Sequence, residues 1–414
     1  MASLHIFTSA AMNYLPKVRA LCRSIRKFHP EAVVHLALAD VKPEGFPGPD
    51  EPFDSVLPID ALDIPDWRGW SFMHDVVELS TAIKPFALAK LLDEPGCEKV
   101  LYFDPDMVLF SRVDDLVEGL STSNVAITPH QNKPETTLDA VMDNEVTSLR
   151  MGVFNLGFIG VANTDEGRRF AGWWADRVYY FCRGDVRLGI FTDQKWINLA
   201  PVFFDGVWIV KSSRHNVATW NLTTRRFTGS RAEGYRVDGE PLGFYHFTGF
   251  DSGAHRVMAM KNATGNRAVQ ELIEWYEHET HAGGKGPKWA FSTFDDGTPI
   301  RTQHRLLYRH RKDLQAAFPD PYLTNTGTLT FLEWCDGEGM IRYPEFFASD
   351  ASATPLSVPG GMTVPPGAAW RMFLLLFAPR AGRLLRARLF ALVRREGLGG
   401  VARRLRAPAQ AGLR

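Results

Sequence analysis

Two aspartates, Asp104 and Asp106, stand one residue apart in the apolar stretch KVLYFDPDMVLF, which covers residues 99–110. A buried carboxylate loses its hydration, so the pair needs water, a cationic side chain or a metal ion as a partner. Residues i and i+2 of an extended segment leave the backbone on the same side, so both carboxylates can meet one ligand. Carboxylate oxygens suit Mg²⁺ or Mn²⁺, and two of them leave coordination positions open for phosphate.

Three other interpretations of this pair compete with a metal held at a diphosphate. An EF-hand loop beginning at Asp104 requires glycine at its sixth position, where this chain has Leu109, so that interpretation fails. A solvated turn at the end of a strand is a common setting for a bare D-x-D. Direct acid–base hydrolysis also stays open, although the two acids of a hydrolase usually come from separate segments.

The elements that must position the two aspartates alternate between strands and helices. Short apolar or β-branched runs, separated by segments that can form helices, are LHIFTSA, AVVHLALAD, KVLYFD and NVAITPH. This alternation predicts an α/β domain with a largely parallel sheet. Ligands of such sheets bind at the carboxyl ends of the strands. The pair directly follows KVLYF, and Pro105 offers no N–H to continue a ladder, so we expect the pair at such an end.

The length of the chain predicts more than one structural part. A chain of 414 residues exceeds what a single hydrophobic core usually serves. The α/β pattern predicts a domain over residues 1–283, ending at the Gly-rich HAGGKGPK, and a mainly helical accessory segment over 284–346. Residues 347–369 are rich in Pro, Gly, Ser and Ala and are predicted to form a linker.

The remaining segment, 370–414, is predicted to form a basic amphipathic helix. Residues 366–414 contain eleven arginines and one acidic residue, Glu396, a net charge of +10 in a chain that is neutral overall. The segment lacks the roughly 18 consecutive apolar residues that span a membrane. Its opposed leucine and arginine faces are typical of a helix lying on an anionic membrane surface. The alternative is packing on the acidic body of the same chain. Charge confined to a tail does not indicate nucleic-acid binding.

The cysteines and the amino terminus indicate the cytoplasm. The four cysteines are dispersed, without a C-x-x-C pair, which suits a reducing compartment. MASLHIFTSA lacks the basic region and long apolar core of a signal peptide. We therefore expect a cytoplasmic protein whose tail contacts the inner face of the membrane.

Seven motifs follow one another between residues 4 and 252: FTSAAMNYLPKVRALCRSI, ELSTAIKPFALAKLL, LYFDPDMVLF, GVFNLGFIGV, FTDQKWINL, HNVATWNL and FYHFTGF. In this order they resemble the retaining glycosyltransferases grouped as family eight, the glycogenin and lipopolysaccharide galactosyltransferase group. The resemblance implies a GT-A fold, a Rossmann-like, mainly parallel mixed sheet flanked by helices. It also implies transfer of a sugar, with retention, from a nucleotide-diphosphate donor, a UDP-sugar being favoured. The acceptor would be a saccharide or a lipid-linked glycan in bacterial surface polysaccharide assembly.

The resemblance implies a Mn²⁺ (or Mg²⁺) site at the aspartate pair. Asp104 and Asp106 would be the metal-binding D-x-D, and His246 of YHFTG would be the third ligand. An imidazole beside two carboxylates favours Mn²⁺ over Mg²⁺, which prefers oxygen ligands. The ion would neutralise charge on the departing nucleoside diphosphate.

The resemblance also implies residues that bind the donor and act on it. The donor-binding residues would be Thr8, Tyr14, Lys84, Asn155, Gly157 and Gly249. The ring of Tyr14 would stack on the base, Lys84 would meet the phosphates, and the amide of Asn155 would contact the transferred sugar. Ordinary core packing is the alternative for Thr8 and Tyr14. Asp193 and Gln194 match the D-Q pair beside the reacting carbon, where one of them would stabilise an oxocarbenium-like centre or act as nucleophile.

One departure from the family pattern concerns the second phosphate lysine. The family continues after the histidine to Lys-Pro-Trp, whereas this chain has HFTGFDSGAHRVMAMKN. Lys261 or Arg256 would have to take that place.

Two alternative functions remain. A sugar-phosphate nucleotidyltransferase is expected to have a Gly-rich loop after its first strand, and FTSAAMNYLP contains no glycine. A carbohydrate-binding scaffold with a GT-A fold would not need to retain the acids, the histidine and the D-Q pair together.

Overall fold

The computed structural model describes residues 4–185, 188–281, 284 and 286–347. The chain divides into two units, Met1–Phe347 and Ala348–Arg414, and every described residue belongs to the first. The predicted linker beyond its first residue and the predicted basic helix over 370–414 lie outside the described residues. No helix in the described ranges is long and apolar enough to cross a membrane.

The strands of the described part are β1 (Leu4–Ala10), β2 (Val33–Leu38), β3 (Ser55–Pro58), β4 (Lys99–Phe103), β5 (Met107–Leu109), β6 (Val125–Pro129), β7 (Phe154–Ala162), β8 (Gly184–Asp185), β9 (Ile190–Phe191), β10 (Val207–Ile209), β11 (Phe227–Ser230), β12 (Gly234–Val237), β13 (Glu240–Pro241) and β14 (Phe244–His246). The α-helices are α1 (Leu15–Phe28), α2 (Trp67–Phe72), α3 (Val76–Ala82), α4 (Lys84–Leu92), α5 (Asp114–Gly119), α6 (Leu138–Ala140), α7 (Val146–Met151), α8 (Asp165–Phe181), α9 (Ala200–Phe203), α10 (Ala254–Asn262), α11 (Arg267–His281), α12 (Thr302–His310), α13 (Lys312–Ala317), α14 (Phe331–Trp334), α15 (Met340–Arg342) and α16 (Pro344–Phe347).

A seven-stranded sheet in the order β10-β6-β7-β4-β1-β2-β3 forms the centre of the fold. Four neighbouring pairs are parallel, namely β1 with β2, β1 with β4, β2 with β3, and β6 with β10. Strand β7 runs antiparallel to both of its neighbours, β4 and β6. The predicted α/β class, with a mixed and mainly parallel sheet, is therefore confirmed.

Helices cover both faces of this sheet because its central strands are apolar on both sides. Adjacent residues of β1, Ile6 and Phe7, belong to two different hydrophobic clusters, since successive side chains of a strand point to opposite faces. The Ile6 cluster includes α1, and the Phe7 cluster includes α3, α4 and α8.

Helix α1 follows from an amphipathic pattern with suitable ends. Pro16 lies in its first turn, and Arg26 and Lys27 lie in its last turn, where basic side chains interact favourably with the helix dipole. Apolar residues recur every three or four positions and are buried. Lys17 is a charged exception on this helix, since only 6% of it is exposed.

The helical segment after residue 286 packs on α2. The rings of Tyr308 and Phe331 each lie edge-on to Phe72, with centroids 5.3 Å apart. The guanidinium of Arg305 donates to the carbonyls of Phe72 (3.0 Å) and His74 (2.7 Å). These contacts join the segment to the core of the sheet, and the boundary at residue 283 stays a prediction.

Candidate metal and donor site

The two aspartates and His246 are brought together by a two-stranded sheet. Asp104 and Asp106 lie in the turn between β4 and β5, and β5 pairs antiparallel with β14 so that His246 is opposite Met107. The Nε2 atom of His246 lies 3.1 Å from Oδ1 of Asp106 and 3.8 Å from Oδ2 of Asp104. Ligands at right angles in an octahedral Mg²⁺-like site lie about 3 Å apart. The cluster therefore has the dimensions of a divalent metal site.

A chain of amide hydrogen bonds sets the tautomer of His246. The Nε2 amide of Gln194 donates to the carbonyl of Met151 (3.1 Å), so its Oε1 accepts from the Nδ2 of Asn155 (3.3 Å). Oδ1 of Asn155 then accepts from Nδ1 of His246 (3.1 Å). With the proton on Nδ1, the lone pair of Nε2 faces the carboxylates, and only a further proton or a cation makes that contact favourable. Two carboxylates and one imidazole thus fit a divalent ion.

Gly157 makes room for the imidazole. A Cβ atom on this residue would lie 2.7 Å from Cε1 of His246 and 2.4 Å from Cε of Met107. The carbonyl of Gly157 also accepts the N–H of Asp104 (2.7 Å). The space left by this glycine is therefore occupied by His246, and contact of Gly157 with the donor stays a prediction.

Lys84 lies inside the carboxylate cluster. Its Nζ is 3.0 Å from Oδ1 of Asp104 and 3.4 Å from Oδ2 of Asp193, and the residue is 4% exposed. Burial opposes its charge, yet Asp104 and then Asp193 raise the pKa of Lys84 well above its ordinary value. The hydroxyl of Tyr102 also donates to Oδ1 of Asp104. Oδ1 is thereby occupied, while Oδ2 of Asp104 faces His246. Contact of Lys84 with donor phosphates stays a prediction.

Asp193 is a buried acid that follows a strained residue. Burial, only partly offset by Lys84 and reinforced by Asp104, raises the pKa of Asp193 to about 6. Thr192 has a φ of 46°, which is unfavourable for a β-branched side chain, and its hydroxyl donates to Oδ1 of Asp193 (3.3 Å). Such strain costs about 1–3 kcal/mol and is concentrated at functional sites.

The roles of the other predicted donor residues, Thr8, Tyr14 and Gly249, stay predictions. Thr8 is buried near the carboxyl end of β1, and its Oγ1 has no hydrogen-bond partner among the described residues. The hydroxyl of Tyr14 donates to Asp251 (2.9 Å), and Lys17 lies 4.2 Å from the centre of its ring. Gly249 occupies the turn after β14 with a φ of 71°.

Lys261 and Arg256, the two proposed substitutes for the family's second phosphate lysine, lie on helix α10, and each forms an ion pair with an acidic residue. Lys261 contacts Asp143, and Arg256 lies 2.7 Å from Glu277. Each therefore already has an acidic partner outside the D-x-D cluster.

Two aromatic neighbours of the candidate metal site, Trp220 and His130, are not among the residues predicted from the sequence. The ring of Trp220 lies edge-on to His246, with centroids 5.4 Å apart, and to His130 (5.3 Å). Burial lowers the pKa of His130 to about 4, so it is neutral near pH 7. Trp220 lies within the motif HNVATWNL, so that motif could have indicated a role at the site. No local sequence pattern indicates such a role for His130.

A second group of possible ligands, His29, Glu31 and Asp114, does not suit a metal. Nε2 of His29 accepts the backbone N–H of Val113 (3.0 Å), so Nδ1 carries the proton and donates to Glu31 (3.1 Å). The guanidinium of Arg112 pairs with both acids, at 2.7 and 2.8 Å. The imidazole has no free lone pair, and a cation already occupies the acids.

Solved structures that align with this chain include glycosyltransferases of low sequence identity. A galactosyltransferase LgtC in complex with donor and acceptor sugar analogues is 16% identical, with a TM-score of 0.41, over 69% of this chain and 98% of that one. The glycosyltransferase GlyE of Streptococcus pneumoniae TIGR4 is 14% identical, with a TM-score of 0.38, over 70% of this chain and 66% of that one.

Among curated proteins, two uncharacterised proteins of Bacillus subtilis (strain 168) are similar to part of the chain. YfnD is 30% identical over 176 residues, which are 42% of this chain and 54% of YfnD. YfnF is 25% identical over 180 residues, which are 43% of this chain and 58% of YfnF. The chain thus spans just over half the length of these relatives. No protein-family profile matches the chain.

Proposed function

We propose that the chain is a metal-dependent glycosyltransferase of the GT-A type. It would move a sugar from a nucleotide-diphosphate donor, with UDP-sugars favoured, to a saccharide or lipid-linked glycan. The observation that carries this proposal is the convergence of Asp104, Asp106 and His246 beside the Lys84–Asp193 ion pair. The three candidate metal ligands and this ion pair lie at the end of strand β4, which runs parallel to β1. The carboxyl end of such a strand is the ligand-binding edge of an α/β sheet.

The metal site would be formed by Oδ2 of Asp104, Oδ1 of Asp106 and Nε2 of His246. A divalent ion bound there supplies charge neutralisation for a leaving diphosphate. The imidazole ligand favours Mn²⁺ over Mg²⁺. The hydrogen bond from His246 to Asn155 holds the ring in the orientation that coordination requires.

Asp193 is proposed as the acid that faces the reacting carbon. The carbonyl oxygen of Gln194 already has two donors, because Oε1 accepts from Asn155 and from the backbone of Leu156 (3.2 Å), and Nε2 donates to Met151. Gln194 would therefore act as a positioning residue. A carboxylate beside the anomeric carbon can stabilise positive charge or form a transient covalent bond, and the covalent route leads to retention because it consists of two displacements.

Retention is tested on the product. An α-linked donor is expected to yield an α-linked product when the first-formed species is followed by NMR. An inverted anomeric signal would contradict retention and exclude a covalent role for Asp193.

The activity is tested with a panel of UDP-, GDP- and CMP-sugars. We expect nucleotide release from a UDP-sugar that requires Mn²⁺ and stops with EDTA. Asp106→Asn removes a charged ligand at constant size and should lower the rate at least 100-fold, in the range for loss of one group that stabilises the transition state. The matched control Asp114→Asn, in the second acidic cluster, should stay within twofold of the wild type.

Three outcomes would overturn this proposal. Release that persists in EDTA, or in Asp106→Asn, would exclude the metal site. No release from any donor would favour a carbohydrate-binding scaffold. Formation of a nucleoside triphosphate from the donor and pyrophosphate would point to a nucleotidyltransferase.

A membrane-associated role in surface polysaccharide assembly is proposed from the basic tail alone. It is tested by sedimentation with anionic vesicles of the full chain and of a version that ends near Phe347. Equal behaviour of the two versions would contradict the role of the tail.

A further inference from the structure

Lys17 is a buried cation with a replaceable partner. Its Nζ donates to Oδ2 of Asp251 (2.6 Å) and to the hydroxyl of Tyr14 (2.9 Å). The side chain of Lys17 is 7% exposed, whereas that of Asp251 is 61% exposed. A buried ammonium is costly to desolvate, and a solvated carboxylate on the surface compensates only in part. The arrangement therefore suits a cation that exchanges partners.

Lys17 and its partner Asp251 lie on segments that adjoin the candidate metal site. Helix α1, which carries Lys17, packs on β5 directly after Asp106, where the N–H of Leu109 donates to Oγ of Ser24 (3.0 Å), and Asp251 follows His246 by five residues. Burial raises the pKa of Tyr14, and the charges of Asp106 and Asp251 raise it further. Lys17, Tyr14 and the D-x-D pair thus share one electrostatic environment.

The charge balance of the site leaves a role for this cation. Asp104, Asp106 and Asp193 carry three negative charges, and Lys84 with a divalent ion would supply three positive ones. A bound nucleoside diphosphate brings further negative charge. Lys84 is already engaged by two carboxylates, and Lys261 and Arg256 are paired elsewhere.

We propose that Lys17 is the second phosphate-binding cation of the donor site, and that Asp251 holds it until a diphosphate takes the place of the carboxylate. The inference rests on the proposed function, because it requires a nucleoside diphosphate at the D-x-D pair. An ammonium accepts this exchange readily, since it binds as a point charge without a preferred planar geometry. Asp251 would then turn to solvent, where it is already largely exposed.

The test compares two substitutions with opposite expected signs. Binding of UDP in saturating Mn²⁺ is measured by titration calorimetry on the full chain. Lys17→Met should raise the Kd of UDP about 10-fold to 100-fold, because a charge-assisted contact to phosphate is lost. Asp251→Asn removes the competing charge and keeps an acceptor for Tyr14, so it should lower the Kd severalfold. The control Lys261→Met should stay within twofold of the wild type.

The outcomes separate this inference from the proposed function. Unchanged UDP affinity in Lys17→Met, or weaker binding in Asp251→Asn, would show a purely structural ion pair and overturn the inference alone. If the wild type binds neither UDP nor GDP with Mn²⁺, the proposed function and this inference both fail. If Lys17→Met does not fold by circular dichroism, the sign of the change in Asp251→Asn decides.

Discussion

Replacing Gly157 by alanine should displace the His246 imidazole without removing it. The added Cβ would lie 2.7 Å from Cε1 and 2.9 Å from Nδ1 of the ring. Ordinary contact begins near 3.4 Å, so the ring must move by about 0.7 Å or the strand must yield. Functional groups must be held within about 0.5 Å of their productive geometry. The displacement exceeds that tolerance, and it also strains the hydrogen bond to Asn155.

Gly157→Ala should change both the affinity for Mn²⁺ and the free energy of unfolding. Disturbing the groups that orient a metal ligand typically costs 10-fold to 100-fold in metal affinity. Overpacking of a filled core costs about 1–3 kcal/mol in the free energy of unfolding. Mn²⁺ affinity is measured by titration calorimetry, and stability by urea unfolding followed by circular dichroism.

Gly160→Ala is the matched control because Gly160 lies on the same strand, β7. Its Cβ would meet Leu101 (2.9 Å) and Leu120 (3.0 Å) in the apolar core. It should lower stability but leave Mn²⁺ affinity within twofold of the wild type. If Gly157→Ala binds Mn²⁺ as tightly as the wild type, His246 is not a ligand at the position described. Equal losses of affinity in both variants would mean that the effect is only loss of stability.

Other expectations concern the groups around the candidate metal site, and His74. Asn155→Leu should weaken Mn²⁺ binding 10-fold to 100-fold, and Asn155→Asp, which still accepts from His246, should recover part of it; equal values in calorimetry would contradict the orienting role. Asp193→Asn should lower kcat about 10²-fold to 10³-fold with UDP affinity nearly unchanged, and a loss confined to affinity would indicate binding only. Burial and nearby arginines lower the pKa of His74 to about 3. Between pH 6.5 and 3 the unfolded chain therefore binds a proton at His74 that the folded chain does not. The free energy of unfolding consequently decreases as the pH is lowered through this range. His74→Gln should remove about 2 kcal/mol of the loss in unfolding free energy between pH 7 and 5, and an unchanged pH dependence in urea unfolding would refute this.

The sequence by itself determined the α/β class and the position of the aspartate pair. Both are local properties, because alternation of apolar runs predicts the strands and the D-P-D segment marks where β4 ends. The FNLGF and YHFTG segments pointed to Asn155, Gly157 and His246 through the family resemblance. Those motifs named the residues without their contacts.

Only the tertiary structure decided what these side chains contact. Asn155 and His246 are 91 positions apart, and the antiparallel strand β7 and the β5–β14 pairing bring them within hydrogen-bond distance. Lys84 and Asp193 are 109 positions apart, and Lys17 meets Asp251 across 234 positions. Strand order and register set these distances, and both depend on the packing of the whole sheet. A local pattern can therefore predict that a residue is charged and near a strand end, but not which charge it will face.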